Sequence, residues 1–219
     1  MRNFEMSDLG MLHYFLGLEV KQEVDGIFLS QRKYATDLLK RFNMVNCNVA
    51  TTPMNINEKL CRDDGSEMAN ATYFRSLVSG LNYLSHTRLD IAFSVGVVSR
   101  FMHNPSKLHL GAAKRILRYI AGTLEHGIWY SKVTNFTLTG FTDSDYESTS
   151  GFLFNLGFEA ISWSSKKQEV VALSTSEAEY IATTSAACQT VWLRRLVADF
   201  NQKPAGATRF FATIDLLLR

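Results

Sequence analysis

The chain has 219 residues, of which 46% are hydrophobic and 20% are charged, and its formal net charge is +2. This composition excludes wholesale disorder, and a content of only 3 prolines and 13 glycines excludes a collagen-like or proline-rich chain. Because the sequence has no run of 18 apolar residues and no basic region leading into an apolar one at its start, we expect neither a membrane span nor a secretory signal.

The first 42 residues predict a β-hairpin and an amphipathic helix. HYFLGLEVKQ and IFLSQ are rich in strand-forming residues, and the Asp25-Gly26 pair between them is a turn signal. Apolar residues then recur at helical spacing in RKYATDLLKRF. The polar segment 43–70 is interpreted as an extended linker or loop.

Three further helices are predicted at about 71–84, at about 90–102, and from after Ser106 to near Gly122. Asn70 and Ser106 are suitable N-caps for the first and third of these helices. Four residues of the third helix share one apolar stripe: Leu108, Ala112, Ile116 and Tyr119. Four cations lie largely off that stripe: Lys107, Lys114, Arg115 and Arg118.

No acidic residue occurs between Asp90 and Glu125, although this stretch contains those four cations. A basic block without acids suits a polyanionic partner such as nucleic acid. A solvated helix face explains the same pattern equally well. The three cysteines form no CxxC pair and favour a reducing compartment, and the five histidines are interpreted as surface or packing residues.

After residue 127 the sequence changes to short aromatic and β-branched segments that predict antiparallel strands. A long helix is predicted at about 176–200, where Ser174 and Glu177 have capping-box spacing. The segment TRFFATIDLLLR predicts one more strand. A strand that follows a helix most simply returns parallel onto the same sheet.

Two pairs of acids in this part could support metal chemistry. Asp143 and Asp145 are two residues apart in a predicted strand and share one of its faces, and Glu177 and Glu179 lie in the first turn of the long helix. Carboxylate oxygens are the ligands that Mg²⁺ prefers, and two metal ions can promote phosphodiester cleavage. Acids in a first turn also favour the helix dipole, so the pattern alone leaves both explanations open.

The sequence resembles the Pol polyprotein of copia-type LTR retrotransposons. The resemblance extends in order over nearly the whole chain, in these segments: MSDLGMLHYFLGLEV, GIFLSQRKYATDLLKRFNM, TTPM, YFRSLVSGLNYL, AAKRILRYIAGTLEHGIWY, STSGFLF, ISWSSKKQEVVALSTSEAEYIA and VWLRRL. It implies that residues 1–130 are a C-terminal reverse transcriptase remnant (thumb and connection). Residues 131–219 are then a truncated ribonuclease H-like domain. The fold class is therefore expected to be α+β, with an incomplete mixed sheet and one long helix.

The resemblance also assigns residues to the site. Asp143 matches the first catalytic aspartate of the family, and Glu179, in Glu-x-x-Ala context, matches its catalytic glutamate; both would bind Mg²⁺. The acid expected on the strand after the helix is replaced by Thr213, with Asp215 as a substitute two residues later. No Tyr-x-Asp-Asp polymerase motif occurs.

These assignments imply an intracellular retrotransposon Pol remnant, in a virus-like particle, the cytoplasm or the nucleus. By descent from this family, the chain is expected to bind RNA–DNA hybrid or duplex nucleic acid. The candidate phosphate contacts are Lys107, Lys114, Arg115 and Arg118. Because the carboxylate set is incomplete, weak or no Mg²⁺ binding and little or no catalysis are expected. The alternative is an active ribonuclease H that cleaves the RNA strand of hybrids with Asp143, Glu179 and Asp215. The oligomeric state is not predicted.

Overall fold

The computed structural model describes residues 10–55, 59–132, 137–144, 149–200 and 206–212. Within them the chain is α+β, as predicted, and none of the helices is long and apolar enough to cross a membrane. The helices are α1 (Arg32–Arg41), α2 (Ala71–Leu84), α3 (Leu89–Ser99), α4 (Lys107–Ala121) and α5 (Thr175–Asp199). The strands are β1 (Tyr14–Phe15), β2 (Leu18–Gln22), β3 (Gly26–Ser30), β4 (Gly127–Ser131), β5 (Leu138–Ser144), β6 (Thr149–Leu156), β7 (Glu159–Lys167) and β8 (Arg209–Ala212).

The first sheet has the strand order β1-β2-β3-β4 and is antiparallel. The predicted hairpin is confirmed as β2 and β3, and the Glu23 amide donates to the Gly26 carbonyl across the turn at 2.8 Å. HYFLGLEVKQ is not one strand, however, because Leu16 and Gly17 adopt positive φ and reverse the chain, so that β1 pairs antiparallel with β2. β4 was predicted as a strand but without a partner, and it pairs with β3 so that Ser131 lies opposite Gly26. The first sheet therefore includes a strand that follows α4 in the chain.

Helices α1 to α4 enclose the larger hydrophobic core, because each turns an apolar stripe inward. The bounds predicted for α2 and α4 are confirmed, and so are their caps. The Asn70 side chain accepts from the Tyr73 amide at 2.9 Å, and Ser106 caps α4. The core side chains that are less than 2% exposed include Leu38, Phe74, Leu77, Leu81, Ile91, Ile116 and Leu117.

Two details of the helical layer differ from the sequence prediction. α3 ends at Ser99 and not near residue 102, because the next three amides bond to carbonyls three residues earlier and tighten the chain into a 3₁₀-type turn. In α4 the buried face is rotated by about one residue from the predicted stripe. Leu108 is 55% exposed, whereas His109 is fully buried.

The His109 ring is buried because all its polar atoms find partners. Its Nδ1 accepts from the Ser106 amide at 2.9 Å, and its Nε2 lies 3.0 Å from the Cys61 carbonyl oxygen. The ring stacks on Phe101 with a centroid separation of 3.8 Å. Since Nδ1 is an acceptor, the ring proton lies on Nε2 and can be donated to the Cys61 carbonyl. The interpretation of this histidine as a packing residue is confirmed.

The segment interpreted as an extended linker is irregular, but it is not detached from the helices. Within its described part, the Ala50 amide donates to the Arg118 carbonyl at 3.2 Å, and the Lys107 amide donates to the Glu67 carbonyl at 2.8 Å. The Ser106 hydroxyl also donates to the Asp64 carboxylate at 2.5 Å. Residues 43–55 and 59–70 therefore lie along α4, and we refer to them as the α4 strap.

The second sheet has the strand order β7-β6-β5-β8, with β5 in the interior. β5, β6 and β7 are antiparallel neighbours, whereas β8 is parallel to β5 after the crossover through α5. The predicted parallel return of the last strand is thus confirmed. α5 also begins where expected, since the Ser174 hydroxyl accepts from the Glu177 amide at 3.1 Å.

A smaller core lies between α5 and one face of this sheet. Leu138 of β5 and Phe154 of β6 pack there against Ala186 and Leu193 of α5. At Gly140 a Cβ would lie 2.7 Å from the Phe154 ring and 2.9 Å from the Phe210 ring. Glycine therefore lets both rings close over the interior strand.

The two halves of the molecule meet along β7, which α3 crosses and to which β4 is joined where the Tyr130 hydroxyl donates to the Ala160 carbonyl at 2.8 Å. A Cβ on Gly96 would lie 2.5 Å from the Ser165 carbonyl oxygen, so the helix backbone rests directly on the strand backbone. Around this contact the Trp163 indole N–H donates to the Ser85 carbonyl at 3.0 Å, and Arg100 donates to the Thr149 hydroxyl at 2.5 Å.

The Asp64 contacts predict an acid-sensitive attachment of the α4 strap. Hydrogen bonds from Ser106 and Ser66 lower the pKa of Asp64 from 3.8 to about 2. A depressed folded-state pKa contributes stability above the unfolded value, and that stability is lost as pH falls through about 2. We therefore expect the urea midpoint of the wild type to fall more steeply between pH 5 and pH 2 than that of Asp64→Asn.

The neighbouring Asp63→Asn variant is the control, because Asp63 is exposed and should leave the pH dependence of the wild type intact. Parallel pH dependence of the wild type and Asp64→Asn would contradict this attribution.

Candidate functional site

Asp143 lies near the carboxyl end of the interior strand β5. Residues alternate along this strand, so Leu138, Gly140 and Thr142 are buried, whereas Phe141 and Asp143 are exposed. Asp143 therefore projects from the face opposite the one that α5 covers. One of its carboxylate oxygens accepts from the Ser144 amide at 2.9 Å, which leaves the remaining lone pairs accessible.

A shallow cavity of about 320 Å³ surrounds the Asp143 side chain. Its wall includes Phe141, Phe211 and Leu153. The rings of Phe141 and Phe211 are stacked, with their centroids 5.3 Å apart. Asp143 is the one carboxylate among the described residues that line it. The site therefore combines one acid with apolar and aromatic surface.

Glu179 lies just after the first turn of α5 and not within it as predicted, because the helix already begins at Thr175; it is half-buried and directly follows the buried Ala178. Glu177, the acid of the first turn, has a different role. The Glu177 carboxylate accepts from the Leu173 amide at 2.6 Å and so completes the N-terminal cap. Glu177 is thus engaged in the structure of the helix start, whereas Glu179 is not part of the cap.

Gln168 connects the start of α5 to the strand beside Asp143. Its side-chain amide donates to the Ala178 carbonyl at 2.8 Å and to the Ser150 hydroxyl at 2.6 Å. Ser150 precedes Gly151, which is paired with Asp143 in the sheet. The neighbours of Asp143 and Glu179 are thereby held together. No sequence signal singles out Gln168, which lies in a polar stretch without distinctive spacing.

That Asp143 and Glu179 bind a metal ion together stays a prediction. No hydrogen bond joins the two side chains, and no group of three or more His, Cys, Asp or Glu side chains within the described ranges is placed to hold a metal ion. Asp145, Thr213 and Asp215 lie outside the described residues.

The four cations predicted to bind nucleic acid all lie on α4, and each has a contact within the chain. Lys107 forms an ion pair with Glu67 of the α4 strap. Arg115 donates to the Thr52 hydroxyl at 2.9 Å, and Arg118 donates to the Asn48 carbonyl at 2.6 Å. The ammonium of Lys114 lies 6.0 Å from the centroid of the Tyr73 ring. Three of these cations therefore fasten the strap to the helix.

Several known proteins are similar in sequence to this chain. A family model described as reverse transcriptase (RNA-dependent DNA polymerase) matches residues 1–56, which include the first hairpin and α1. The retrovirus-related Pol polyprotein from transposon RE1 of Arabidopsis thaliana is 42% identical over 207 residues, or 91% of this chain. The polyprotein from transposon TNT 1-94 of Nicotiana tabacum is 38% identical over 216 residues.

These polyproteins are much longer than this chain, which spans 14% of the RE1 protein and 16% of the TNT 1-94 protein. The uncharacterized mitochondrial protein AtMg00810 of Arabidopsis thaliana is of comparable length. It is 39% identical over 201 residues, and the match covers 81% of it and 86% of this chain. The order of elements and the extent of this identity show that the chain belongs to the family of copia-type retrotransposon Pol polyproteins.

Proposed function

We propose that the chain is a Pol remnant whose second sheet, with α5, is ribonuclease H-like but does not hydrolyse RNA–DNA hybrids. The observation that supports this most directly is the position of β5. It is an interior strand with Asp143 near its carboxyl end, an antiparallel neighbour on one side and the parallel β8, reached through α5, on the other. That is the mixed sheet which the resemblance to the family implies.

The proposed loss of hydrolysis depends on the number of carboxylates. β8 pairs with β5 so that Ala212 lies opposite Thr142, and the next residue in the sequence is Thr213. The resemblance assigns the third metal-binding acid to this position, where threonine supplies a hydroxyl and no negative charge. Asp143 and Glu179 would then be the only two acids left of the set, which is too little charge to fix two divalent ions accurately. Asp143 also projects from the sheet face opposite α5, the helix that carries Glu179.

The relative of comparable length supports the term remnant. AtMg00810 shows that a segment of this extent occurs outside a long polyprotein. An intracellular location and a nucleic-acid partner, which we infer from the family, are consistent with such an origin.

A hydrolysis assay tests the proposal. The full chain is incubated with a fluorescent RNA–DNA hybrid in Mg²⁺ and, separately, in Mn²⁺, beside Asp143→Asn and Asp215→Asn variants. We expect the wild type to cleave no faster than Asp143→Asn, because the metal site lacks an acid. Metal-dependent cleavage that Asp143→Asn abolishes would contradict the proposal and establish an active ribonuclease H. If Asp215→Asn abolished it as well, Asp215 would be the substitute acid.

We further propose that α4 contacts the backbone of hybrid or duplex nucleic acid. Among the cations of α4, Lys114 is the most suitable probe of phosphate binding, because its ammonium lies over the Tyr73 ring and forms no hydrogen bond or ion pair with the described residues of the strap. If Lys114 binds a phosphate, Lys114→Gln should weaken binding evenly across sequences. It should also reduce the slope of log K against log salt by about 0.9.

The variants Lys107→Gln, Arg115→Gln and Arg118→Gln are measured for both binding and unfolding. A salt slope that all four variants leave unchanged, with a lowered unfolding midpoint for Arg115→Gln and Arg118→Gln, would contradict phosphate binding. Those cations would then serve only to hold the strap.

A further inference from the structure

A second and larger recess, which we call the α3–β7 cleft, lies between helices α2 and α3 on one side and β7 on the other. Its volume is about 930 Å³. Three of its lining residues are cations, Arg100, Lys166 and Lys167, and His86 is a further lining residue. Five are serines, and none of the described lining residues is Asp or Glu. The cleft therefore combines positive charge with a high density of hydroxyl groups.

Two cations of the cleft, Lys166 and Lys167, are available to a ligand. Lys166 and Lys167 end strand β7 and are exposed, and neither forms an ion pair with a residue in the described part of the chain. Arg100 enters from the end of α3 and donates to the Thr149 hydroxyl. An anion placed between them would accept charge-assisted hydrogen bonds, which are stronger than bonds between neutral groups.

The cleft also offers an aromatic surface. Trp163 lies on β7 and is half-buried, and its indole N–H is fixed by the Ser85 carbonyl at 3.0 Å. This bond orients the ring without consuming its π surface. Phe152 contributes a second aromatic ring to the lining. Cations combined with aromatic rings are the composition by which proteins bind the phosphates and bases of a single strand.

We propose that the α3–β7 cleft binds single-stranded nucleic acid. Lys166, Lys167 and Arg100 contact phosphates, the serine hydroxyls contact sugar and phosphate oxygens, and Trp163 stacks on a base. A cleft of about 930 Å³ has room for a few nucleotides, and only a single strand has unstacked bases that are free to stack on Trp163. This inference is independent of hydrolysis and of the α4 cations, because it concerns a different surface.

The experiment measures binding of a fluorescein-labelled 20-nucleotide oligo(dT) to the full chain by anisotropy, at several salt concentrations. Each phosphate contact on a single strand contributes about 0.7 to the slope of log K against log salt. Between 1 M and 0.1 M salt this corresponds to about a 5-fold gain in affinity. Lys166→Gln/Lys167→Gln should therefore weaken binding about 25-fold at 0.1 M and reduce the slope by about 1.4.

The control Lys21→Gln/Lys40→Gln removes the same charge from exposed sites outside the cleft and should bind like the wild type. Equal losses in both double variants would contradict the proposal, because they would report net charge alone. It would also be contradicted if wild type did not bind, if the cleft variant bound normally, or if tripolyphosphate or a duplex of equal length displaced the oligonucleotide as effectively as unlabelled oligo(dT).

Discussion

The arrangement of the two sheets depends on the close approach of α3 to β7 at Gly96. Because this position has no Cβ, the helix backbone comes within contact of the Ser165 carbonyl, where any side chain would meet it at 2.5 Å. This approach brings Trp163 within hydrogen-bond distance of Ser85 and Arg100 within reach of Thr149. It also forms the walls of the cleft. A helix glycine usually costs about 1 kcal/mol relative to alanine, and here that cost is offset by the packing it permits.

The helical half shows how cations can be used within a fold. A basic stretch without acids suggests an open surface for a polyanion, yet Lys107, Arg115 and Arg118 hold the α4 strap against its helix. His109, buried beneath the strap, completes the same attachment through the Cys61 carbonyl. In contrast, Lys166 and Lys167 form no ion pair with described residues and line a cleft without described acids. Charge density along the sequence and charge available to a ligand are therefore different properties of this molecule.

Local signals in the sequence were sufficient for much of the fold. The caps Asn70, Ser106 and Ser174 and the apolar periodicity predicted α2, α4 and α5, because a helix start is determined by residues within one turn. The strand of Asp143 and the helix of Glu179 were predicted for the same reason. The pairing of β4, the path of the strap and the cleft were not, since they rest on partners such as Trp163 and Ser85, which are 78 positions apart.

A matched pair of glycine substitutions tests the central role of the α3–β7 contact. Gly96 and Gly111 both lie within helices, but a Cβ at Gly111 would meet nothing within 4 Å. Gly111→Ala should therefore raise the free energy of unfolding by about 0.5–1 kcal/mol through helix propensity alone. Gly96→Ala should lower it, and should separate the unfolding of the two sheets into distinct transitions when followed by urea denaturation and tryptophan fluorescence. If Gly96→Ala stabilised the protein as Gly111→Ala does, in one cooperative transition, the contact would not hold the two halves together.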